Sequence, residues 1–452
     1  MKNFLIKVKT FFTKEELKRR FTPQVIMDLL LIGALFVYLL FPLINMVRRT
    51  DRWSPLFFPL WRDFLQYVTW IFLIIAFFVS RLTSGRYELV APTSVFIKNP
   101  AFLFAVGLGI WMIVSTFVTG LFAESIVGSE KSHTGLFYSL VYLFTFFMGL
   151  RMKGLRGGRL WIAAFLVLSG ILNILIVIDY YAGSKYNLAG SGAVFYNSNH
   201  IAYYLLVDTV AAESVFLLAH SRIQRAVALL IYITGFCALF ITNTLGCIVA
   251  FIVTLVFSAV VLPLTKKWNT VRYISVVLAA VAVTAVLYYV PTVTGKTQKS
   301  NIDSNIGVLI QSAEAAQDIE SAPGTLGSGR MALWRSAIHA TCEKPIFGYG
   351  LATMRTRLWT DTHGGNDTVH NEFLEYSSNH GVPALLLYLA FVLAVFIRGA
   401  RYRRVLTNAE VISLTAAFAY LVSSVFGVTM FYTAPFLFIF LGLGYCRGEE
   451  SE

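Results

Sequence analysis

Residues 160–181 read LWIAAFLVLSGILNILIVIDYY, an apolar run whose only charged side chain, Asp179, lies near its end. A helix of about 20 such residues crosses the roughly 30 Å hydrocarbon core of a bilayer. Runs of the same kind recur along the chain, and they predict an all-α, polytopic membrane protein of about twelve transmembrane helices. The predicted spans are residues 25–47, 64–80, 101–122, 135–150, 160–181, 199–219, 226–242, 245–264, 273–290, 382–397, 411–428 and 431–445.

The composition excludes an ordinary soluble protein. Hydrophobic residues make up 57% of the 452-residue chain and charged residues 13%, whereas soluble domains have roughly 25% charged residues. The formal net charge of +13 does not indicate a nucleic-acid partner, because Lys and Arg form short clusters between apolar runs. The bilayer is the expected partner instead. Three of the four cysteines fall in apolar runs, and Cys342 has no local partner, so no disulfide framework or thiolate metal site is expected.

The basic residues also predict a topology for the cytoplasmic (inner) membrane. Lys and Arg near span ends accumulate on the cytoplasmic side, which places both termini inside. The exceptions are four arginines of the first outer loop, Arg48, Arg49, Arg52 and Arg62. The chain then divides into a cytoplasmic basic segment (1–24), transmembrane helices 1–9 (25–290), a large extracytoplasmic loop (291–381), transmembrane helices 10–12 (382–446) and a cytoplasmic tail (447–452).

The loop at 291–381 is far longer than the other connections, and long loops of this kind usually carry function. It contains one predicted helix at 306–319 and another that Ser328 would cap, running from Arg330 until Pro345 stops it. Arg330 then lies in the first helical turn, where a cation opposes the helix macrodipole unless an anion binds there. Free backbone N–H groups beside a guanidinium predict a phosphate site.

A second candidate group lies at the far end of the loop. Asp367 or Thr368 would cap a helix that carries His370 in its first turn and stops at Gly381. A neutral imidazole there can take a proton from a hydroxyl. The alternatives are that His370 only bonds a neighbour at a helix start and that Arg330 only reaches the membrane surface.

Between these two groups, Gly348, Tyr349 and Gly350 predict a flexible turn that lets backbone approach a ligand. No metal site and no cofactor are expected, because the loop histidines lack zinc-ligand spacing and the chain contains no D-x-D pair. A diphosphate ligand would therefore be held by arginine rather than by a metal ion.

Four short motifs in this loop carry a family resemblance. They are 329–334 (GRMALW), 345–350 (PIFGYG), 370–374 (HNEFL) and 381–383 (GVP). Their order and spacing resemble the bacterial O-antigen ligase and O-antigen polymerase superfamily. Residues 195–199 (FYNSN) are similar to a family segment that ends in asparagine before an apolar helix. The twelve-span layout with a large outer loop is also similar.

The resemblance implies a metal-independent membrane glycosyltransferase that moves a glycan from a polyprenyl diphosphate carrier to an acceptor hydroxyl at the outer face of the cytoplasmic membrane. It maps a catalytic histidine onto His370 and a phosphate-contacting arginine onto Arg330. Its implied partners are the lipid-linked glycan donor, a glycan, lipid or other hydroxyl acceptor, and the bilayer. The residues expected to contact substrate are Asn197, Asn199, Trp334, Gly348, Tyr349, Gly350, Asn371 and Glu372.

One position departs from the family pattern. Many members carry a Ser-Arg pair at the outer start of the span that begins here at Leu245, and that arginine is thought to bind the diphosphate. Because Leu245 stands there, half of the expected anion site is missing. The four arginines of the first outer loop are candidates to replace it.

Three alternatives stay open from the sequence. A polymerase of lipid-linked repeat units shares its motifs with a ligase. A secondary transporter or flippase is less favoured, because the chain shows no internal repeat and its polar residues concentrate outside the midplane. A loop that only binds an envelope partner is the third. Asp208 and Glu213 of the sixth span are more consistent with buried partners than with a proton path.

Overall fold

The computed structural model describes residues 99–128, 134–152, 157–183, 187–190, 194–195, 197–315, 329–362 and 368–446, together with Ile71 and isolated positions between 33 and 44. Every secondary-structure element among these residues is helical, as the sequence predicts. A 3-10 turn (Ser424–Phe426) follows the fourteenth helix. The α-helices in chain order are α1 (Pro100–Thr119), α2 (Ala123–Val127), α3 (Leu136–Met152), α4 (Gly157–Tyr181), α5 (Ser198–Leu218), α6 (Arg222–Ile241), α7 (Leu245–Leu264), α8 (Thr270–Tyr289), α9 (Lys299–Ala315), α10 (Arg330–Glu343), α11 (Leu351–Asp361), α12 (Glu372–His380), α13 (Val382–Arg401), α14 (Asn408–Ser423) and α15 (Ala434–Gly444).

Eight of these helices are long and apolar enough to cross a membrane, namely α1, α4 to α8, α13 and α14. Two more, α3 and α15, are shorter apolar helices. Each predicted span from 101–122 onward coincides with one of these helices, so the protein is a multi-pass membrane protein. The predicted spans at 25–47 and 64–80 lie outside the described residues, apart from isolated positions. They stay predictions, as does the total of about twelve.

Polar caps set the starts of several helices. At the start of α1, the Asn99 side chain accepts a hydrogen bond from Ala101 N at 3.0 Å. Thr407 and Glu410 form a capping box at the start of α14. Such caps satisfy the N–H groups that the first turn of a helix leaves without intrahelical partners.

Helix α5 lies at the centre of the bundle, where it packs against α4, α6, α7 and α14. A helix buried on all sides needs internal partners for its polar side chains. Asp208 finds them on α4, where the Ser169 hydroxyl donates to Oδ1 and the Asn173 amide donates to Oδ2 at 2.6 Å. Glu213 is also fully buried, with Ser258 of α7 nearby, but neither of its carboxylate oxygens has a hydrogen-bond partner among the described residues. These contacts favour a buried structural role for Asp208 over a proton path.

The two short apolar helices, α3 and α15, touch through their backbones. A Cβ at Gly149 would lie 2.5 Å from the carbonyl oxygen of Ile439, and one at Gly442 would lie 2.3 Å from that of Phe146. Small residues permit this close approach between helices in membranes. Since every residue of α15 is buried, this short helix packs inside the bundle instead of facing lipid.

Helices α9 to α12 lie between α8 and α13, in the segment predicted as the large loop. The predicted helix at 306–319 corresponds to α9, which begins earlier, at Lys299, while residues 316–328 lie outside the described chain. Helix α12 packs against α1, α10, α11 and α13. A small apolar core joins α10, α11 and the residue before His370, and it consists of Leu333, Ala337, Ala340, Met354, Leu358 and Val369.

Candidate active site

Arg330 is the first residue of α10. The N-cap is Gly329, whose φ of 84° lies in the left-handed region. The prediction that Ser328 caps this helix is therefore wrong, because the chain turns at Gly329, one residue later. Glycine has no capping side chain, and the α10 cap forms no side-chain hydrogen bond within the described chain. Among the described residues, the first-turn N–H groups therefore have no side-chain acceptor, and an anion beside the Arg330 guanidinium would supply one.

Arg330 lies near two membrane helices. Its charge lies within electrostatic range of Tyr203 on α5 and of Cys247 on α7. The Tyr203 hydroxyl donates a hydrogen bond to the carbonyl oxygen of Phe426 at 3.0 Å. The Phe426 ring lies 6.4 Å from the ring of Trp334, which is one turn beyond Arg330 on α10. These contacts tie the start of α10 to the membrane bundle.

The indole of Trp334 has a buried donor without a partner in the part of the chain that the structure describes. Its Nε1 has no acceptor within hydrogen-bond distance among the residues that the structure describes. A buried polar group without a partner costs about 1 to 3 kcal/mol. A ligand oxygen at Nε1 would remove that cost, so the predicted substrate contact of Trp334 fits this geometry.

His370 lies immediately before α12 and has a φ of 55°. The N-cap of α12 is Asn371, whose side chain accepts a hydrogen bond from Leu374 N at 3.1 Å. The predictions that Asp367 or Thr368 caps this helix and that His370 lies in its first turn are therefore wrong. The Asn371 amide reaches the N–H group three residues on, which is the preferred capping geometry, and the helix starts later as a result.

The left-handed backbone at His370 is strained for a residue with a side chain. It costs about 1 to 2 kcal/mol, and such residues persist where their surroundings enforce them, often at functional sites. Val369 is buried in the small apolar core, and Asn371 caps α12. His370 is thus held between two anchored neighbours. It lies within electrostatic range of His200 on α5.

Glu372 anchors α12 to the bundle. Its side chain is fully buried, and Oε1 accepts a hydrogen bond from the Tyr388 hydroxyl on α13 at 2.9 Å. Burial raises the pKa of Glu372 to about 7, although the nearby hydroxyls of Tyr388, Thr429 and Tyr420 oppose that rise. The predicted substrate contact of Glu372 is untested, and this buried position does not favour it.

The Gly-Tyr-Gly motif pairs with the end of α12. Tyr349 N donates to the carbonyl oxygen of Ser378 at 2.8 Å, and Gly350 N donates to that of Asn379 at 3.0 Å. A Cβ on Gly348, whose φ is 71°, would lie 2.5 Å from the carbonyl carbon of Asn379. The glycines therefore permit close approach to protein backbone. These hydrogen bonds fix the turn that we expected to be flexible, and substrate contact by the motif stays a prediction.

The motif at 381–383, which directly follows α12, pairs with the motif at 345–350 as well. Val382 N donates to the carbonyl oxygen of Pro345 at 2.7 Å. A Cβ on Gly381, whose φ is 84°, would lie 1.9 Å from the carbonyl oxygen of Ile346. Two motifs that are distant in sequence thus form one backbone junction, which fixes the C-terminal end of α12.

The Tyr349 side chain belongs to a charged group on the exposed surface. Its hydroxyl donates to the Glu343 carboxylate, and Arg357 binds the same carboxylate through both terminal nitrogens. The hydrogen bonds from Arg357 and Tyr349 lower the pKa of Glu343 to about 2. Glu343 is therefore an exposed anion with its own partners, apart from Arg330 and His370.

Asn197 and Asn199 organise the start of α5. Asn197 is the N-cap, and its side chain accepts a hydrogen bond from Asn199 N at 2.8 Å. The Asn199 side chain accepts one from the Thr244 hydroxyl at 3.2 Å. Thr244 is the residue before Leu245 and the N-cap of α7. The two asparagines thus tie α5 to the start of α7, and their substrate contacts stay predictions.

Two residues of this region were not predicted from the sequence. His200 is buried, with Nδ1 3.3 Å from the carbonyl oxygen of Phe195, and its ring stacks on Tyr432. Tyr203 is one turn further along α5. Both residues fall inside an apolar run, whereas the candidate residues were sought mainly in the polar loop. The sequence offered one indication, because His200 directly follows Asn199, which was itself a predicted substrate contact.

Residues 228–389 match the family model described as O-antigen ligase. This segment is O-antigen ligase-like. The match spans Arg330, Trp334 and His370, and it confirms the resemblance to the O-antigen ligase and polymerase superfamily. It indicates a membrane glycosyltransferase of that kind. No curated protein matches the chain. The O-antigen ligase-like segment begins after Asn197 and Asn199.

Several predicted participants lie outside the described residues. They are the four arginines of the first outer loop, Arg48, Arg49, Arg52 and Arg62. The replacement of the missing arginine by that loop therefore stays a prediction. Within the described residues, no group of three or more His, Cys, Asp or Glu side chains could hold a metal ion.

Proposed function

We propose that the protein transfers a glycan from a polyprenyl diphosphate carrier to an acceptor hydroxyl at the outer face of the cytoplasmic membrane. The observation that carries the proposal lies at the start of α5. There, His200 is within electrostatic range of His370, and Tyr203 is within range of Arg330. Val369, next to His370, also packs in the same small apolar core as Leu333, which lies one turn beyond Arg330. These observations support a candidate base and a candidate anion site that lie near each other.

Each group has one task in the reaction. His370 accepts the proton of the acceptor hydroxyl while that oxygen forms a bond to the anomeric carbon of the glycan. The bond between this carbon and the diphosphate oxygen breaks, and its electron pair stays on the leaving diphosphate. Arg330 and the open N–H groups of α10 stabilise the growing negative charge. A single displacement of this kind inverts the anomeric configuration.

The buried donor of Trp334, near Arg330, suits a lipid-linked glycan as the donor substrate. The Trp334 Nε1 donor is buried without a partner in the described chain, one turn beyond Arg330. An oxygen of the diphosphate or of the first sugar would supply the missing acceptor. The apolar membrane helices next to this point would accommodate the polyprenyl tail.

Reconstitution of the purified protein with a polyprenyl-diphosphate glycan and acceptor tests the proposal. We expect His370→Ala and Arg330→Ala each to lower the transfer rate at least about 100-fold, the range that general bases and charge-stabilising donors supply. His339→Ala and Arg335→Ala are matched controls, because both residues lie on α10 and neither belongs to the proposed site. Full turnover in the two site variants would refute the roles of His370 and Arg330.

The product separates a ligase from a polymerase of repeat units. A ligase joins one donor glycan to a different acceptor, whereas a polymerase yields a ladder of products that differ by one repeat unit. Uptake of glycan into vesicles without any new glycosidic bond would instead indicate a transporter.

A further inference from the structure

A cavity lies between the end of α1 and the segment that joins α10 to α11. Its volume is about 410 Å³, which falls in the range of roughly 300 to 1,000 Å³ that is typical of small-molecule sites. The lining includes the last two residues of α1, Val118 and Thr119, the segment 344–349, and Thr353 of α11. Lys344 directly follows α10, whose first residue is Arg330. The cavity and the proposed anion site therefore lie at opposite ends of that helix, about 20 Å apart along its axis.

The segment that lines the cavity packs beside α1 within the length of that helix. The Phe347 ring stacks on the Trp111 ring, with the two ring centres 5.4 Å apart. Trp111 Nε1 also donates a hydrogen bond to the carbonyl oxygen of His380 at 2.9 Å. Trp111 precedes Thr119, the last residue of α1, by about 12 Å along the helix axis. Since α1 is long and apolar enough to cross a membrane, this stack lies where aromatic side chains meet the bilayer surface.

One side of the cavity continues into an apolar surface of α1. Val114 is 40% exposed, Phe117 62% and Val118 58%. Residues three or four apart lie on one face of a helix, so these side chains form a stripe that leads from the cavity along α1. Ile346, across the cavity, is 56% exposed. A hydrocarbon chain can cover this stripe, whereas a water-soluble ligand would leave it bare.

The other side of the cavity carries a cation. Lys344 Nζ lies 4.2 Å from the centre of the Tyr349 ring. The ion pairs among the described residues do not involve Lys344. Its neighbour Glu343 is bound by Arg357 through both terminal nitrogens and by the Tyr349 hydroxyl. The charge of Lys344 is therefore available to an anion, and Thr353 adds a hydroxyl to the lining.

A cation beside an apolar stripe at the bilayer surface matches the two parts of a phospholipid. The phosphate of a phospholipid lies at the headgroup level, and its acyl chains enter the hydrocarbon core. Basic pockets beside membrane helices bind anionic lipid headgroups for this reason. A free phosphate would use Lys344 and leave the apolar stripe bare, whereas a lipid without an anionic headgroup would make no use of the charge.

We propose that this cavity binds the headgroup of an anionic phospholipid, whose phosphate contacts Lys344 and whose acyl chains lie along Val114, Phe117 and Val118. The bound lipid braces the segment 344–349 against α1. That segment pairs through its backbone with the end of α12, so the lipid also supports the position of α12. The site binds a lipid that takes no part in the proposed transfer.

Native mass spectrometry of the delipidated full-length protein in detergent tests the site. Titration with phosphatidylglycerol should show saturable binding that weakens as the salt concentration rises. Lys344→Ala should raise the apparent Kd at least about fivefold, the contribution of one basic side chain at an anionic lipid surface. Phosphatidylcholine with the same acyl chains has no net charge and should bind the wild type at least about fivefold more weakly than phosphatidylglycerol does.

Two matched controls separate the cavity from a general effect of charge or bulk. Lys299→Ala removes another lysine that lies over a tyrosine ring, that of Tyr288 at 5.5 Å, outside the cavity, and should leave the Kd unchanged. Thr353→Trp fills the cavity without changing its charge and should weaken binding at least about fivefold. Thr356→Trp places the same bulk on α11 outside the lining and should not. Thermal unfolding shows that each variant is folded, as expected because Lys344 and Thr353 are exposed.

Four results would overturn the proposal. The first is equal affinity for phosphatidylglycerol and phosphatidylcholine, and the second is binding that neither Lys344→Ala nor Thr353→Trp weakens. Displacement of phosphatidylglycerol by a lower concentration of a polyprenyl diphosphate is the third, since the cavity would then belong to the donor. The fourth is a dimer whose formation expels the lipid, because a second copy of the chain would then occupy the cavity.

Discussion

Replacing Glu372 with glutamine should stabilise the protein at neutral pH and above. The Glu372 carboxyl is fully buried, and its pKa is about 7 in the folded protein against an ordinary value of 4.5. A tenfold difference in proton affinity corresponds to about 1.4 kcal/mol. The difference between the two pKa values therefore means that the ionised carboxylate costs the folded state about 3 kcal/mol.

The sign of the pH dependence follows from proton linkage. The folded protein holds this proton more tightly than the unfolded chain does, so the carboxyl brings no penalty below pH 4.5 and the full penalty above pH 7. The free energy of unfolding contributed by Glu372 therefore falls as the pH rises through this interval. Glutamine stays neutral and keeps the shape, so Glu372→Gln should lack this fall.

Thermal unfolding in one detergent, at several pH values from about 5 to about 8, measures the difference. The melting temperature of Glu372→Gln should exceed that of the wild type by several degrees at the upper end, and the gap should shrink toward the lower end. Glu343→Gln is the matched control, because the pKa of Glu343 is about 2 and its titration lies outside the interval. A gap that does not change with pH, or a variant that melts lower at pH 8, would refute the argument. A variant that melts lower at pH 8 would mean that Glu372 is ionised there and is stabilised by its hydroxyl neighbours.

Three further predictions follow from the structure, the first with a matched control. Gly348→Ala should destabilise the protein by about 2 kcal/mol or more in thermal unfolding, since φ is 71° and the added Cβ meets the Asn379 backbone. Gly307→Ala on α9, where an added Cβ meets no described atom within 4 Å, should instead be neutral or stabilising. Asn371→Ala removes the cap of α12 and should cost about 1 kcal/mol, with a lower transfer rate because His370 loses an anchored neighbour; a normal rate would contradict the positioning argument. Transfer should continue in chelator, and a loss of transfer that only an added divalent cation reverses would contradict charge stabilisation by Arg330 and the helix-start N–H groups.

The spans could be predicted from sequence because a long apolar run needs no partner to identify it. The predicted span at 160–181 corresponds to α4, and the predicted and observed bounds differ by a few residues at most. Helix starts were harder, because several polar residues compete for one cap. Asp367, Thr368 and Asn371 all have capping side chains, and the local pattern does not show which of them reaches the first turn.

The role of the glycines could not be predicted, because it depends on contacts that are distant in sequence. Gly348 approaches the backbone of Asn379, and Gly381 approaches that of Ile346. A positive φ at glycine predicts a turn, but it does not reveal what the turn packs against. His200 and Tyr203 were missed for a related reason, since only the folded chain brings them within electrostatic range of His370 and Arg330.

Leu245 begins α7, and the start of this helix can contribute positive charge although an arginine is missing there. The Thr244 hydroxyl is engaged by Asn199, and the α7 cap forms no side-chain hydrogen bond in the described chain. Cys247, in the first turn of α7, lies within electrostatic range of Arg330. The starts of α7 and α10 therefore approach the same guanidinium, and each helix start carries roughly half a positive charge. Two helix starts together supply about the charge of one arginine. In the proposed reaction, a diphosphate at Arg330 would therefore meet the positive ends of helix starts as well as one guanidinium, even though Leu245 carries no charge.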